Sequence, residues 1–352
     1  MIRLSLFQLR AQAITAAVAV TAFAVLLAVT GPDLSSLYAA SGLQGCRPAN
    51  CSHLASSFLR QVDSTGAYAT VSPLSIALIA LTPAVIGLFW GAPLIARELE
   101  TRTFDIAWSQ SVTRTRWLAV KLAVGGLAAM TVTEALSLLF SWWATPLSRA
   151  VGQGGSTNSL AMNKFNPLAF ATHGITPLGY AAFAFALGVT AGALIRRTAP
   201  AMAVTLAIFA AVQFAMPLWI RPNLLPASHT ISTITDDTTF SLLQGDSPHI
   251  LTYTLAAGSL TGQPEAYIES SDPTDTKGHP VSTVLPSACL PAANSPNFEP
   301  VAKCLTNQGI RLDVTYQPAS RYWPLQGAET GVFFVLSLAL IGYCFRRITR
   351  LP

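Results

Sequence analysis

Six stretches of the chain are apolar over the length of a membrane crossing, and polar segments of very different lengths separate them. They cover residues 13–31, 73–95, 117–144, 175–195, 199–220 and 327–345. A helix needs about 20 mainly apolar residues to cross roughly 30 Å of hydrocarbon, and each stretch is of that order. The pattern predicts an all-α polytopic membrane protein with six transmembrane helices. The first stretch is too long for a signal-peptide core and no Ala-x-Ala site follows in order, so it reads as a retained anchor.

The basic residues sort by side. Arg3 and Arg10 precede the first stretch, Arg97, Arg102, Arg114, Arg116 and Lys121 fall between or at the edges of the second and third, Arg196 and Arg197 part the fourth and fifth, and Arg346, Arg347 and Arg350 follow the sixth. The other side has only Arg47, Arg60, Lys164, Lys277 and similar scattered bases in long polar loops. Cytoplasmic flanks are enriched in Lys and Arg, so both termini are expected in the cytoplasm.

Residues 32–72, 145–174 and 221–326 then face outward. The last is long enough for a small domain. Its "HTISTI" and "HILTYTL" lean towards strand, and "SDPTD" and "KGHP" read as turns. A loop-rich extracellular insertion of mixed α/β character is expected there, between helices 5 and 6. The organisation is an amphipathic helix at 1–12, five spans within 13–220, the outer domain at 221–326, and the sixth span with a basic tail at 327–352.

Composition agrees with a membrane protein: 51% hydrophobic and only 11% charged residues, with a mean hydropathy of +0.47. The formal charge of +5 follows from topology, because the bases form no stripe interleaved with aromatics and nucleic acid is not an expected partner. The high alanine content points to a GC-rich bacterial source and a bacterial plasma membrane.

Four of the five cysteines, Cys46, Cys51, Cys289 and Cys304, fall in outward segments, as suits an oxidising compartment. Four cysteines allow three connectivities; we pair them locally, 46 with 51 and 289 with 304. Cys344, ending the sixth stretch, reads as apolar filler. His173, His229, His249 and His279 have no zinc spacing and read as solvated loop residues. The acids Asp236, Asp237 and Asp246, and Glu265, Glu269, Asp272 and Asp275, lack a calcium-loop spacing. No metal site is expected, and neither a nucleophile elbow nor an intramembrane Ser, His and Asp set is present.

Within the spans the one ionisable group that stands out is Glu134, about midway along the third stretch. An intramembrane acid is expensive and marks function by default; the alternatives are a buried pairing partner or a protonated, hydrogen-bonded acid. Gln213 reads as cavity lining or interhelical glue. Pro83 and Pro217 mark expected kinks, and "VGGLAAM" at 124–130 reads as small-residue helix packing.

The segment "ARELETRTFDIAWSQSVTRTRWLAVKL", residues 96–122, gathers charge between two apolar stretches. Phe104, Trp108 and Val112 recur at i, i+4 and i+8 while Arg102, Asp105 and Ser109 project elsewhere, the pattern of an amphipathic helix. Glu98 and Arg102 stand four apart and can pair. As a plain connector the segment would need only bases that obey topology and Thr113 as the cap of the next helix.

The order of Arg97, Glu98, Thr103, Ser111, Val112, Thr113, Arg114 and Lys121 resembles the signature of type-2 ABC transporter permeases. Members commonly have Gly-Thr where this chain has Arg102 and Thr103, and Pro-Val-Ser-Arg where it has residues 111–114. The N-terminal "LSLFQLRAQA", six spans with both ends inside and an enlarged segment between spans five and six extend the resemblance to nearly the whole chain.

That resemblance implies a coupling helix at about 96–116 that docks on a separate ABC ATP-binding subunit, with Arg97, Glu98, Glu100, Arg102, Thr103, Asp105, Ser111, Thr113 and Arg114 as coupling residues. It implies a second permease copy, in a homodimer or related heterodimer. Spans two and five would line the path and expose Leu81, Val85, Phe89, Phe209, Gln213 and Phe214; mere packing is the alternative. No G-x-x-x-x-G-K-[ST] loop occurs, so the chain is expected to hold no cofactor, with ATP and magnesium on the partner subunit.

Two further classes compete. The outer segment could serve a membrane sensor or scaffold that binds an external ligand. An ion-coupled carrier would need paired broken helices and several intramembrane ionisable groups, which the sequence does not display.

Overall fold

A computed structural model describes residues 2–46, 48–101, 113–153, 164–233, 266–281, 289 and 299–349. Helix α1 runs unbroken from Ile2–Ala40, through Pro32, and a short turn leads to α2 (Pro48–Ser64). Helix α3 (Gly66–Ile86) passes through a π-helical turn, Gly87–Gly91, into α4 (Ala92–Thr101). Helix α5 (Arg114–Trp143) is followed by α6 (Thr145–Gly152) and α7 (Pro167–Thr172), then α8 (Thr176–Ile195) and α9 (Thr198–Ala215). Beyond a second π turn come strands β1 (Ser228–Thr233) and β2 (Tyr267–Thr274), helix α10 (Glu299–Asn307), strand β3 (Arg311–Gln317) and helix α11 (Tyr322–Thr349).

Six helical segments among the described residues are long and apolar enough to cross a membrane: Arg10–Ala40, Gly66–Thr101, Thr115–Trp143, Thr176–Ile195, Thr198–Asn223 and Ala319–Thr349. They are spans 1 to 6 below. Each contains or overlaps one stretch read from the sequence, but helix continues well past the apolar part in spans 1, 2 and 6. The segment 32–72, expected to face outward, is accordingly mostly helix: span 1 extends to Ala40, α2 fills the middle, and span 2 begins at Gly66.

Span 4 is the axis of the bundle. The share of its apolar window enclosed by protein is 83%, against 11% for span 1 and 22% for span 5. Small residues make this possible, since backbones can approach closely only where side chains are absent. A Cβ on Gly87 would lie 2.8 Å from Ala184 O, and one on Gly91 2.7 Å from Phe185 O; Gly188 and Gly192 face Gly87 O and Ala92 O just as closely. Gly125, in the small-residue run of span 3, lies against the Phe185 ring.

Of the two expected proline sites, Pro217 lies inside a π-helical turn, whereas Pro83 stays within α3 and the other π turn begins four residues after it. Ala92 N–H bonds to Gly87 O, and Arg221 N–H to Met216 O, each five residues back. Pro217 lacks the amide that the regular ladder needs, and the wider turn around it accommodates the missing bond. The carbonyl of Phe89, within the first π turn, accepts from Gln12 Nε2 of span 1 at 3.0 Å.

Three apolar clusters hold the spans together. One joins Phe23, Leu27 and Leu34 of span 1 to Ile76 and Ile79 of span 2 and Phe140 and Trp143 of span 3, with Phe58 of α2. Trp143 Nε1 also donates to Thr30 Oγ1 at 3.0 Å. At the end of the bundle that carries both chain termini, Ile95, Trp117, Leu118, Val189 and Ile348 pack together. Tyr180, Phe183, Phe209 and Phe333 tie spans 4, 5 and 6.

The opposite end bears a three-stranded antiparallel sheet in the order β1-β3-β2, with Ser228 opposite Tyr316 and Thr274 opposite Arg311. The "HTISTI" segment is strand for most of its length; "HILTYTL" lies outside the described residues. The turn read at "SDPTD" is not there: Ser271 to Thr274 complete β2, and the chain reverses at Asp275–Gly278. Pro273 is tolerated because β2 is an edge strand, and the reversal falls where Gly278 takes a φ of 83°. Cys46 is bonded to Cys51 and Cys289 to Cys304, while Cys344 is a buried free thiol.

Exposed tryptophans mark the level of this end. Trp142, Trp219 and Trp323 are 56%, 72% and 62% exposed, and each stands near the sheet-bearing end of its span. Such rings favour the headgroup region, where one side is apolar and the other wet.

Candidate functional site

Helix α4 carries the first part of the charged segment, and its small residues seat it in the angle between α8 and α9. Ala92 packs with Ala191 and Ala201, and Ala96 faces Gly192. Only Arg196, with a φ of 58°, and Arg197 separate α8 from α9.

Two carboxylates of α4 bind different neighbours. Glu98 forms an ion pair with Lys121 of span 3, and Lys121 Nζ also lies 4.7 Å from the centre of the Trp117 ring. Glu100 Oε2 accepts from Thr198 Oγ1 at 2.8 Å and Thr198 N at 3.2 Å. Glu100 thus supplies the anion that the first turn of α9 favours. The two acids tie the end of span 2 to the starts of spans 3 and 5.

On the far side of the loop, Thr113 caps α5: its hydroxyl accepts from Arg116 N at 3.3 Å. Arg97 is exposed, and Arg114 is the first residue of α5. Arg102, Thr103, Asp105 and Ser111 lie outside the described residues. Lys121 belonged to the motif and is the residue that receives Glu98.

The expected path residues divide. Leu81, Val85 and Phe89 are 61%, 50% and 54% exposed in one row of span 2, which Leu74 and Leu78 extend, and Phe214 of span 5 is 71% exposed. Phe209 is not in such a row: it is buried, its ring 6.3 Å from Tyr180 and nearly perpendicular to it. A large ring beside the crowded axis of span 4 has a packing partner, which the exposed rows lack. Gln213 is half-buried with an unpaired Oε1, and Glu134 is half-buried with an unpaired Oε2.

Sequence reading missed a polar cluster near the sheet-bearing end. Glu329, fully buried in span 6, accepts from Arg221 Nε (Oε2, 2.8 Å), Arg221 Nη2 (Oε1, 3.0 Å) and Tyr180 OH (3.0 Å). The Arg221 guanidinium lies 4.2 Å from the centre of the Phe170 ring. Glu134 is therefore not the sole acid inside the spans. The signal was visible: Glu329 falls within the sixth apolar stretch and Arg221 directly follows the fifth.

Beside it, Gln326 of span 6 clamps the turn before span 4, accepting from Ile175 N at 2.9 Å and donating to His173 O at 2.8 Å. Gly174, with a φ of 65°, leaves no room for a side chain against that amide. His173 is accordingly packed rather than solvated: its ring lies 4.9 Å from that of Phe140 and its Nδ1 2.7 Å from Ala169 O. Burial pulls this imidazole below its ordinary value, Lys164 adds to the shift, and the bond to Ala169 opposes it. His229 bonds across the sheet to Thr315, His279 bonds to Asp275, and His249 lies outside the described residues. No group of three metal-ligating side chains occurs among the described residues.

A family model described as "ABC-2 membrane transporter related" matches residues 17–221, more than half of the chain. The chain belongs to that family. The match takes in spans 1 to 5 and α4 with its two anchored acids. Members of the ABC-2 family are membrane components of ABC transporters, transport subunits that generally lack an ATPase site and work with an ATP-binding subunit. No curated protein and no solved structure gives a match to this chain.

Proposed function

We propose that this ABC-2 chain is the permease subunit of an ATP-driven exporter of a small molecule, drug, lipid or peptide. The loop 96–116 receives the motion of a separate ATPase subunit, which binds ATP and magnesium. Both termini and this loop lie in the bacterial cytoplasm, the sheet lies outside, and two permease copies complete the path.

One observation carries the reading: Glu98 and Glu100, at the entrance to the loop, hold span 3 and span 5 respectively. A push delivered there is passed to two further spans through bonds rather than through lipid. Outward release needs spans to change their mutual angle, and the bare rows of spans 2 and 5 offer surface that can face a substrate.

The test is co-purification with the ATPase encoded beside this gene, followed by ATP turnover with candidate substrates. Glu98→Ala and Arg114→Ala should lower transport-coupled turnover while membrane insertion stays intact. Unchanged coupling in both variants, or labelling of residues 96–116 from the cell exterior, overturns the assignment.

A further inference from the structure

We infer that the face of α5 carrying Glu134 and Ser141 binds an organic cation; the inference rests on the permease reading and names the charge class of its substrate. The acids of the membrane-spanning helices differ in one respect. Glu98 is bound by Lys121, Glu100 by Thr198, and Glu329 by Arg221 and Tyr180; Asp33 is exposed near the sheet-bearing end of span 1. Glu134 alone among them has a shielded carboxylate oxygen with no partner.

Its depth makes this costly. Glu134 stands eight residues before Trp142, or about 12 Å along the helix at roughly 1.5 Å per residue, and the exposed Trp142 marks the headgroup level. With a hydrocarbon core of roughly 30 Å, the carboxylate lies near the midplane. The two buried bases of the spans, Lys121 and Arg221, are already held by Glu98 and Glu329. Among the described residues no further buried base is left to pair with it.

Ser141 stands two helical turns further along the same face, and its hydroxyl is likewise shielded and without a partner. Between and beside them run Leu127 and Leu138, 60% and 57% exposed. The face therefore combines one negative pole, one free hydroxyl and an apolar border. A hydrated metal ion would need several more oxygen ligands, whereas a lipophilic amine or quaternary cation needs only a counter-charge and apolar cover.

The full chain in lipid nanodiscs, without any ATPase, provides the test, with tetraphenylphosphonium as probe and tetraphenylborate as the anion of nearly equal shape. Saturable binding of the cation alone is expected, weakened at least tenfold by Glu134→Gln and less by Ser141→Ala. A hydrophobic carbodiimide should label Glu134 in the wild type, and the cation should protect it. Equal cation binding by wild type and Glu134→Gln, or equal protection by both ions, overturns the inference and leaves Glu134 a protonated structural acid. Should Glu134→Gln fail to fold, wild-type protection decides. Because no ATPase is present, loss of the permease reading shows separately, as failed co-purification.

Discussion

Arg221 and Glu329 stand 108 residues apart in the chain and meet side by side, Nε 2.8 Å from Oε2 and Nη2 3.0 Å from Oε1, with Glu329 wholly removed from solvent. The pair joins spans 5 and 6, and Tyr180 adds span 4. Removing one partner of such a pair strands the other's charge, at about 3–5 kcal/mol. Arg221→Met and Glu329→Gln should each lower detergent unfolding stability by about that much. The double variant Arg221→Met, Glu329→Leu should recover most of it; equal loss in all three would mean that the charges themselves contribute little.

Glu100 and Thr198 are exposed, so their bond matters less for stability than for where motion goes. Glu100→Gln weakens an anionic cap at the start of α9 and should lower stability only slightly. A crosslink between cysteines placed at positions 100 and 198 should preserve folding and fix the two spans as a unit. Transport unaffected by that crosslink would show that spans 2 and 5 do not separate there during turnover.

Gly188 and Gly331 are both helical glycines, but only Gly188 faces a neighbour's backbone at clashing distance; nothing lies within 4 Å of a Cβ on Gly331. Gly188→Ala should cost at least about 1–3 kcal/mol through overpacking. Gly331→Ala should be neutral or stabilising by up to about 1 kcal/mol, from helix propensity. Thermal unfolding of the two variants checks the contrast.

His173 has its imidazole held below the ordinary value by burial. The unfolded chain therefore takes up a proton near pH 6.5 that the folded protein still refuses. The contribution to stability is present above about pH 6.5 and is lost as pH falls through the unfolded value towards the folded one. Unfolding midpoints should drop between neutral and mildly acidic pH, and His173→Gln should flatten that slope. Asp275 follows the same sign at lower pH: its carboxylate accepts from the amides of His279 and Lys277, which holds it below the usual range.

The apolar stretches made the six spans legible because bilayer thickness sets their length, and Thr113 was legible because its side chain works on its own neighbourhood. Glu98 was singled out with Arg102, which lies outside the described residues; its ion pair with Lys121, 23 residues away, was not read. Nothing local announces a contact made by tertiary packing. The same holds for Glu329 with Arg221, and for Gly87 and Gly188, whose spacing carries no mark of the helix they will meet. Phe209 and His173 were misjudged for a related reason: span membership or loop position does not say which side of an element is covered.

Spans 4 and 5 differ as sharply as two consecutive helices can, one with 83% of its apolar window enclosed and the other with 22%, and only Arg196 and Arg197 part them. The enclosed helix cannot rotate without prising apart every neighbour at once, whereas the bare one has most of its girth free. A swing of the outer helix about the two arginines, like a boom on its gooseneck, would have to cast off the mooring of Arg221 to Glu329 at its far end.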